Sequence, residues 1–231
     1  MSRKPLMPTN GNFVQPLKDD EIDCAYPISA EQLKNAKIVA SREDYIATLP
    51  SGCRYMEVGV AWGYYSELFI NQKTPESTTL LDWYNQDLRC WSWRKFGECN
   101  CTPQHTMLYT PETHMEYIKE KFAQFHNVEI IKGNSQDVLP TLNKEFDYIY
   151  LDITNDRNSI RPTLHAAANL VPVGGIIGLN DYLIYDGIIE EMPYATYQVV
   201  HEFLYMNKNW EVDAIALHVL GFNDIYIKRI S

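Results

Sequence analysis

Residues 51–66 read SGCRYMEVGVAWGYYS. The short apolar run CRYMEV ends on an acid, Glu57, and Gly59, Gly63 and Ser66 follow before a segment with helical spacing. A buried strand that turns abruptly into a helix has this form. Glycine at such a turn lets the backbone bend tightly or approach another group with no Cβ in the way. In open α/β sheets, ligands lie beyond the carboxyl ends of the strands. The stretch from Glu57 to Ser66 is therefore where a binding site is expected.

Outward from that stretch, strand and helix patterns alternate. Strands are expected at CRYMEVGV, TTLLDW, VEIIKG, FDYIYLDI, GIIGLND, WEVDAIAL and FNDIYIKRI. Helices are expected at YYSELFINQ, SQDVLPTL, NSIRPTLHAAANLV and ATYQVVHEFLYMN, and at PETHMEYIKEKFAQF, which opens with Pro in its first turn. Upstream, SAEQLKNAKIVASREDYIATLP begins with Ser-x-x-Gln, close to a capping box, and reads as a helix or two short ones. Seven strands alternating with helices, the last two pairing off, imply an α/β fold. The expected architecture is a Rossmann-like, mainly parallel sheet with helices on both faces and an antiparallel terminal hairpin. Residues 1–27 read as an N-terminal arm and 28–231 as the domain. Residues 84–110 break the rhythm with an aromatic-rich insert, and a linker that long inside a domain is usually functional or disordered.

A chain of 231 residues, 45% hydrophobic and with 16 tyrosines, is long enough for one domain with a sizeable core. The formal net charge of −10 argues against nucleic acid or an anionic membrane as partner, since both need a basic face. The first residues lack the apolar core of a signal peptide and no 18-residue apolar run occurs, so a cytoplasmic location is expected. Five cysteines, an odd number, do not read as a disulfide framework.

The loop spacing narrows the ligand. A dinucleotide fingerprint is G-x-G-x-x-G, whereas this loop is G-x-x-x-G with Ala61 at the middle position. An acid at its entrance repels a diphosphate and suits a ligand with a cationic amino-acid end, which points to S-adenosylmethionine (SAM). EVGVAWGYYS resembles the first motif of class I SAM-dependent methyltransferases, E/D-x-G-x-x-x-G-x-x-S/T. The resemblance runs from about residue 40 to 230: TTLLDW is similar to the family's second strand, IIKGNSQDVLPTL to its third motif, and LVPVGGIIGLNDY to its fifth strand. It implies that SAM lies over Glu57, Gly59, Ala61, Gly63, Tyr65 and Ser66. It further implies ribose on Asp82 beside Trp83, adenine near Asn134, Ser135 and Gln136, and Asp152 facing the cofactor. Asn134 replaces the family's usual Asp, and PVGG its usual K-P-G-G. Structural readings stand beside these. In these, Glu57 caps the loop's backbone amides, Gly63 allows close helix–strand packing, Asp82 is an ordinary helix or turn cap, and Asn134 and Ser135 cap a helix, a role compatible with adenine contact.

Methyl transfer needs an in-line nucleophile and often a base. Asp152, Asn180 and Asp181 sit at the ends of the fourth and fifth expected strands. This half resembles catechol-type and macrocin-type O-methyltransferases, in which residues at those ends hold Mg²⁺. By that resemblance Asp152, Asn180 and Asp181 are the expected metal ligands, although Thr154 stands where the macrocin-type pattern has a second acid. Asp152, Asp181 and the insert's His105 are the candidate catalytic residues, while His165 and His201 read as packed helix residues. Cys90, Cys99, Cys101 and His105 lack the paired spacing of a structural zinc site. CWSWRKF reads instead as an aromatic lid, with Trp91, Trp93 and Phe96 covering the substrate or a partner subunit and Arg89, Arg94 and Lys95 meeting either an anionic substrate group or surface acids. The expected activity is SAM-dependent methylation of a small-molecule acceptor at oxygen, with a homodimer compatible with the arm and insert. A hydroxylase-like enzyme on the same scaffold and a non-catalytic SAM-binding protein are the alternatives.

Overall fold

The computed structural model describes residues 8–9, 12–13, 15–16, 26–84, 111–182, 187–189, 192–219 and 221–231. Eight strands form the main sheet: β1 (Lys37–Val39), β2 (Arg54–Val58), β3 (Ser77–Asp82), β4 (Val128–Lys132), β5 (Tyr148–Leu151), β6 (Ile176–Tyr182), β7 (Trp210–Ala216) and β8 (Asn223–Arg229). Across the sheet they run in the order β1-β7-β8-β6-β5-β2-β3-β4. The terminal strand β8 is antiparallel to both β7 and β6, and every other adjacent pair is parallel. From β2 the chain moves outward through β3 to β4, then returns to lay β5 on the other side of β2. The strand order reverses there, and at such a switch point a crevice opens beyond the strand ends.

The helices are α1 (Ala30–Leu33), α2 (Arg42–Thr48), α3 (Tyr64–Lys73), α4 (Pro111–Phe122), α5 (Ser135–Val138), α6 (Arg157–Ala168) and α7 (Thr196–Met206). They cover two chemically different faces, because side chains alternate along each strand. On one face Ile149, Leu151, Ile177 and Leu179 pack under Ile160 and Leu164 of α6 and Val199 and Phe203 of α7. On the other, Tyr55, Tyr148, Tyr150 and Tyr226 meet Tyr45 of α2 and Tyr65 and Phe69 of α3. This aromatic layer is stacked, with Tyr45 over Tyr226 at 3.5 Å and Tyr65 over Tyr150 at 3.7 Å between ring centroids. Further along the same face, Val60, Ile70 and Leu80 pack against Ile118 and Phe122 of α4.

The expected strands and the terminal hairpin are present, and the sheet gains one strand that the sequence pattern did not suggest. Residues read as helical upstream of the glycine loop contain β1, which pairs in parallel with Ala214–Ala216 of β7. The capping box does form, between Ser29 and Gln32, but the helix it starts is a single turn. The β-branched pair Ile38–Val39 then favours extended backbone, and β7 offers it an open edge. Residues 187–189 pair with 192–194 and, on their other side, 187–188 pair with 15–16. Among the described residues no helix is long and apolar enough to cross a membrane.

Candidate functional site

At the switch point β2 and β5 end side by side. Gly59 has φ +88°, and a Cβ on it would lie 1.9 Å from the Asp152 carbonyl oxygen. The glycine is required by two backbones in contact. Gly63, with φ +67°, precedes α3, and a Cβ there would stand 2.7 Å from the Phe122 ring of α4. At both positions the missing Cβ is required by the protein's own packing.

Between these glycines Ala61 adopts φ +43° and is gripped from two sides. Its N–H donates to Asp82 Oδ2 at 3.0 Å, and its carbonyl lies 2.6 Å from His114 Nε2. Asp82 is buried and also accepts from the Val60 N–H at 2.7 Å and the Tyr84 N–H at 2.9 Å. The carboxylate at the end of β3 thus ties the loop down, and three backbone amides take up most of its acceptor capacity. His114, fully buried on α4, is a second clamp that the sequence reading did not single out.

Glu57 is 2% exposed and accepts from the Ser66 hydroxyl and, at 3.4 Å, from the Tyr55 hydroxyl. Its partners are side chains, not the loop amides. Burial, reinforced by the charges of Asp152 and Asp82, pushes this carboxyl up to about 8 against the opposing pull of Ser66. Tyr65 belongs to the aromatic layer, with its hydroxyl 2.5 Å from that of Tyr148, a core position in place of the expected loop contact. Trp83 is exposed. Asn134 caps α5 by accepting from the Gln136 N–H at 3.0 Å. Ser135 Oγ lies 2.9 Å from Thr163 Oγ1, and Gln136 Nε2 donates to the Asn158 carbonyl at 3.1 Å, tying α5 to α6.

The strand-end acids form a connected network. Asp152 Oδ1 accepts from Asn180 Nδ2 at 2.8 Å, and Asn180 Oδ1 accepts from Arg42 Nη2 at 3.0 Å. The same nitrogen is 3.0 Å from Asp224 Oδ1. Asp224, buried at the start of β8, takes the Tyr150 and Tyr226 hydroxyls on its other oxygen at 3.0 Å each. Asp181 has φ +56° and accepts from Asn155 Nδ2 at 2.9 Å, and Asn155 in turn accepts from the Thr196 hydroxyl. Burial and then the Asp152 charge push Asp181 up to about 7. Burial also raises Asp224, to about 6, although Arg42 and the two tyrosine hydroxyls pull the other way. Asp152 is raised by burial against the pull of Asn180 and Arg42.

The residues expected to hold Mg²⁺ are together, but their donor set does not fit a divalent cation. A hard cation needs several convergent oxygens. Here Asn180 gives its oxygen to a guanidinium and turns its N–H toward Asp152. Among the described residues no group of three or more His, Cys, Asp and Glu is gathered to hold a metal. His105 and the cysteine-containing insert lie outside the described residues. His201 accepts from or donates to the Tyr182 hydroxyl at 2.9 Å and contacts the Tyr26 carbonyl at 3.0 Å, while His165 meets the Phe203 ring edge-on. Arg42, Asn155 and Asp224 were invisible to motif reading. The one hint was an arginine directly after a capping serine, at Ser41–Arg42.

Comparison with known proteins bears on this site. A family model described as a methyltransferase domain matches residues 56–182, from within β2 to the end of β6. Among solved structures, the fold is similar to the O-methyltransferase TomG from Streptomyces achromogenes, involved in tomaymycin synthesis and solved with SAM. That match has TM-score 0.56 and 17% identity, over 89% of this chain and 82% of that one. The N-methyltransferase NodS from Bradyrhizobium japonicum WM9, solved with S-adenosylhomocysteine, matches at TM-score 0.52 and 10% identity over 82% and 85%. An rRNA methylase from Streptococcus thermophilus matches at TM-score 0.51 and 8% identity over 82% and 94%. No curated protein sequence matches the chain.

Proposed function

The chain belongs to the methyltransferase-domain family, whose model spans more than half of it, and from that premise we propose that it methylates a hydroxyl oxygen of a small-molecule acceptor. Solved neighbours acting as O-, N- and rRNA methylases share the fold, so the acceptor is inferred from this chain's own site. SAM, when bound, supplies a methyl group on a positively charged sulfur. The residues fit such a cofactor. Glu57 is a buried carboxyl whose bonded partners among the described residues are hydroxyls, and a ligand with a cationic end would give it the opposite charge it lacks. Glu57, Gly59, Ala61 and Gly63 would form the cradle, stiffened by Asp82 and His114. Trp83, beside Asp82, would flank the ribose, and Asn134, Ser135 and Gln136 the adenine.

The observation that carries the oxygen reading is Asp181. Its carboxyl lies near neutrality, about 7, at the end of β6, held by Asn155 and half-buried beside Asp152. A base of that strength is matched to removing a proton from an acidic hydroxyl as attack proceeds. Asp181 would take that proton on a carboxylate oxygen, while Asp152, fixed by Asn180, would orient the acceptor. The net charge of −10 supports a small acceptor over a nucleic acid.

The test is incubation with methyl-labelled SAM and a panel of phenols, alcohols, amines and rRNA, with the labelled atom located by mass spectrometry and NMR. Label on a hydroxyl oxygen, reduced at least tenfold in Asp181→Asn, is the expected result. Label on nitrogen or in RNA overturns the oxygen reading.

A further inference from the structure

Five carboxyl groups at the strand ends, Glu57, Asp82, Asp152, Asp181 and Asp224, are electrostatically coupled, and burial, helped by the charges of neighbouring carboxylates, raises four of them, Glu57, Asp152, Asp181 and Asp224. Asp82 alone is satisfied by backbone amides. The cation that the described residues bring against this cluster is Arg42, from the first turn of α2. Its side chain is 29% exposed, and that of Asp224, its ion-pair partner, 1%. The guanidinium is fixed by Asp224, which is itself held by two tyrosine hydroxyls, and it lies 5.8 Å from the Tyr65 ring centroid. From that anchored position it donates to Asn180 and so decides which way the amide faces, oxygen toward Arg42 and nitrogen toward Asp152. Arg is always charged and presents its donors as a rigid fork, so this arrangement is built once, on folding.

We propose that Arg42 is the positioning residue of this site and closes it to divalent metal: a fixed guanidinium, in place of a bound cation, carries the positive charge beside Asn180 and Asp152. Two consequences follow from the geometry. With Asn180 Oδ1 engaged and a positive charge 3.0 Å away, a divalent ion would have to approach a like charge and compete for that oxygen. With Asn180 turned as it is, Asp152 receives a hydrogen bond that holds its carboxylate for the acceptor without metal. The acceptor role of Asp152 rests on the reading given above, whereas the exclusion of metal does not.

The test uses the full chain with asparagine side-chain amides labelled with ¹⁵N, titrated with Mn²⁺ to about 1 mM and read as paramagnetic broadening. In wild type, the Asn180 amide is expected to broaden no more than that of the distant Asn209. In Arg42→Gln, Asn180 is expected to broaden at a Mn²⁺ concentration at least tenfold lower. Arg42→Lys, which keeps the charge, is expected to stay within threefold of wild type. A purely structural role for Arg42 predicts equal Mn²⁺ resistance in Arg42→Gln, and that result overturns the proposal. Selective broadening of Asn180 in wild type overturns it too, and that arm holds even where the Gln variant fails to fold. S-adenosylhomocysteine titrated calorimetrically into wild type is expected to bind within twofold the same in EDTA and in 5 mM Mg²⁺. Binding that requires Mg²⁺ overturns the metal exclusion, whereas absence of binding in both buffers counts against the cofactor assignment and leaves the Mn²⁺ result to judge Arg42.

Discussion

Two regions meet at the strand ends and are built in different ways. The glycine loop is local: Glu57 to Ser66 lie within one strand–turn–helix passage, and the sharpest constraint on them is the 1.9 Å that a Gly59 Cβ would leave to Asp152. The Arg42 network is non-local. Arg42 reaches Asn180 across 138 positions and Asp224 across 182. The loop depends on backbone contact and is intolerant of a single carbon. The network depends on charge and hydrogen bonds, so it responds to pH and to charge-changing substitutions while the backbone stays in place.

The largest expected effect belongs to the loop. Gly59→Ala adds a Cβ against the Asp152 carbonyl at a φ of +88° and should cost about 3 kcal/mol or more, read as a lowered urea midpoint. A loss below about 1 kcal/mol would mean that β2 and β5 separate easily and that the loop is less rigid than described. Gly63→Ala faces the edge of the Phe122 ring, which can shift, so its cost should be smaller.

Next comes the network. Asp224→Asn removes the charge that pairs with Arg42 and leaves a half-buried guanidinium facing an amide, which should cost roughly 2–3 kcal/mol. The same substitution should leave the loop's own contacts intact, so the two regions separate if Tyr84 and Ala61 amide exchange stays slow. Amide exchange that quickens equally in both regions would show that they open as one unit.

The third effect depends on pH. Folding raises the Glu57 carboxyl from its ordinary value of 4.5 to about 8, so the folded state holds this proton more tightly than the unfolded chain. The resulting stability is fully present below about pH 4.5 and is lost as pH rises through about 8. Glu57→Gln, which cannot ionise, should flatten that part of the profile and exceed wild type at pH 8 by on the order of a few kcal/mol. Parallel profiles for the two proteins would mean that Glu57 is charged in the folded state, with a partner near it. The smallest effect on stability should come from Trp83→Ala. That side chain is exposed, so unfolding should shift by less than about 0.5 kcal/mol. Affinity for S-adenosylhomocysteine should nevertheless fall about tenfold if the ring flanks the nucleoside.

The contrast between the regions also explains what could be read in the sequence. Strand and helix periodicity placed the seven strands and the hairpin, because side-chain alternation is a local property. The eighth strand, Lys37–Val39, was lost in a segment whose capping serine and apolar spacing read as helix, and the open edge of β7 decided the matter. Glu57, Gly59 and Asp82 announced a loop by position, yet the sequence could not say that Gly59 answers to Asp152 or that Asp82 answers to Val60, Ala61 and Tyr84. Asp152, Asn180 and Asp181 were recognisable as strand-end residues. Their partner Arg42 was not, since nothing in linear spacing links a residue on α2 to one on β6. The guanidinium that occupies the Asn180 oxygen is visible only in three dimensions.

The central claim, that the loop at the β2–β5 switch point is a SAM cradle, is tested most directly by calorimetric titration of the full chain with S-adenosylhomocysteine, with NADH as control. One-to-one binding with a dissociation constant on the order of micromolar or tighter, with no heat from NADH, is the predicted result. Binding of NADH in its place, or of neither ligand, would contradict the claim and leave EVGVAWGYYS as a turn that serves packing alone.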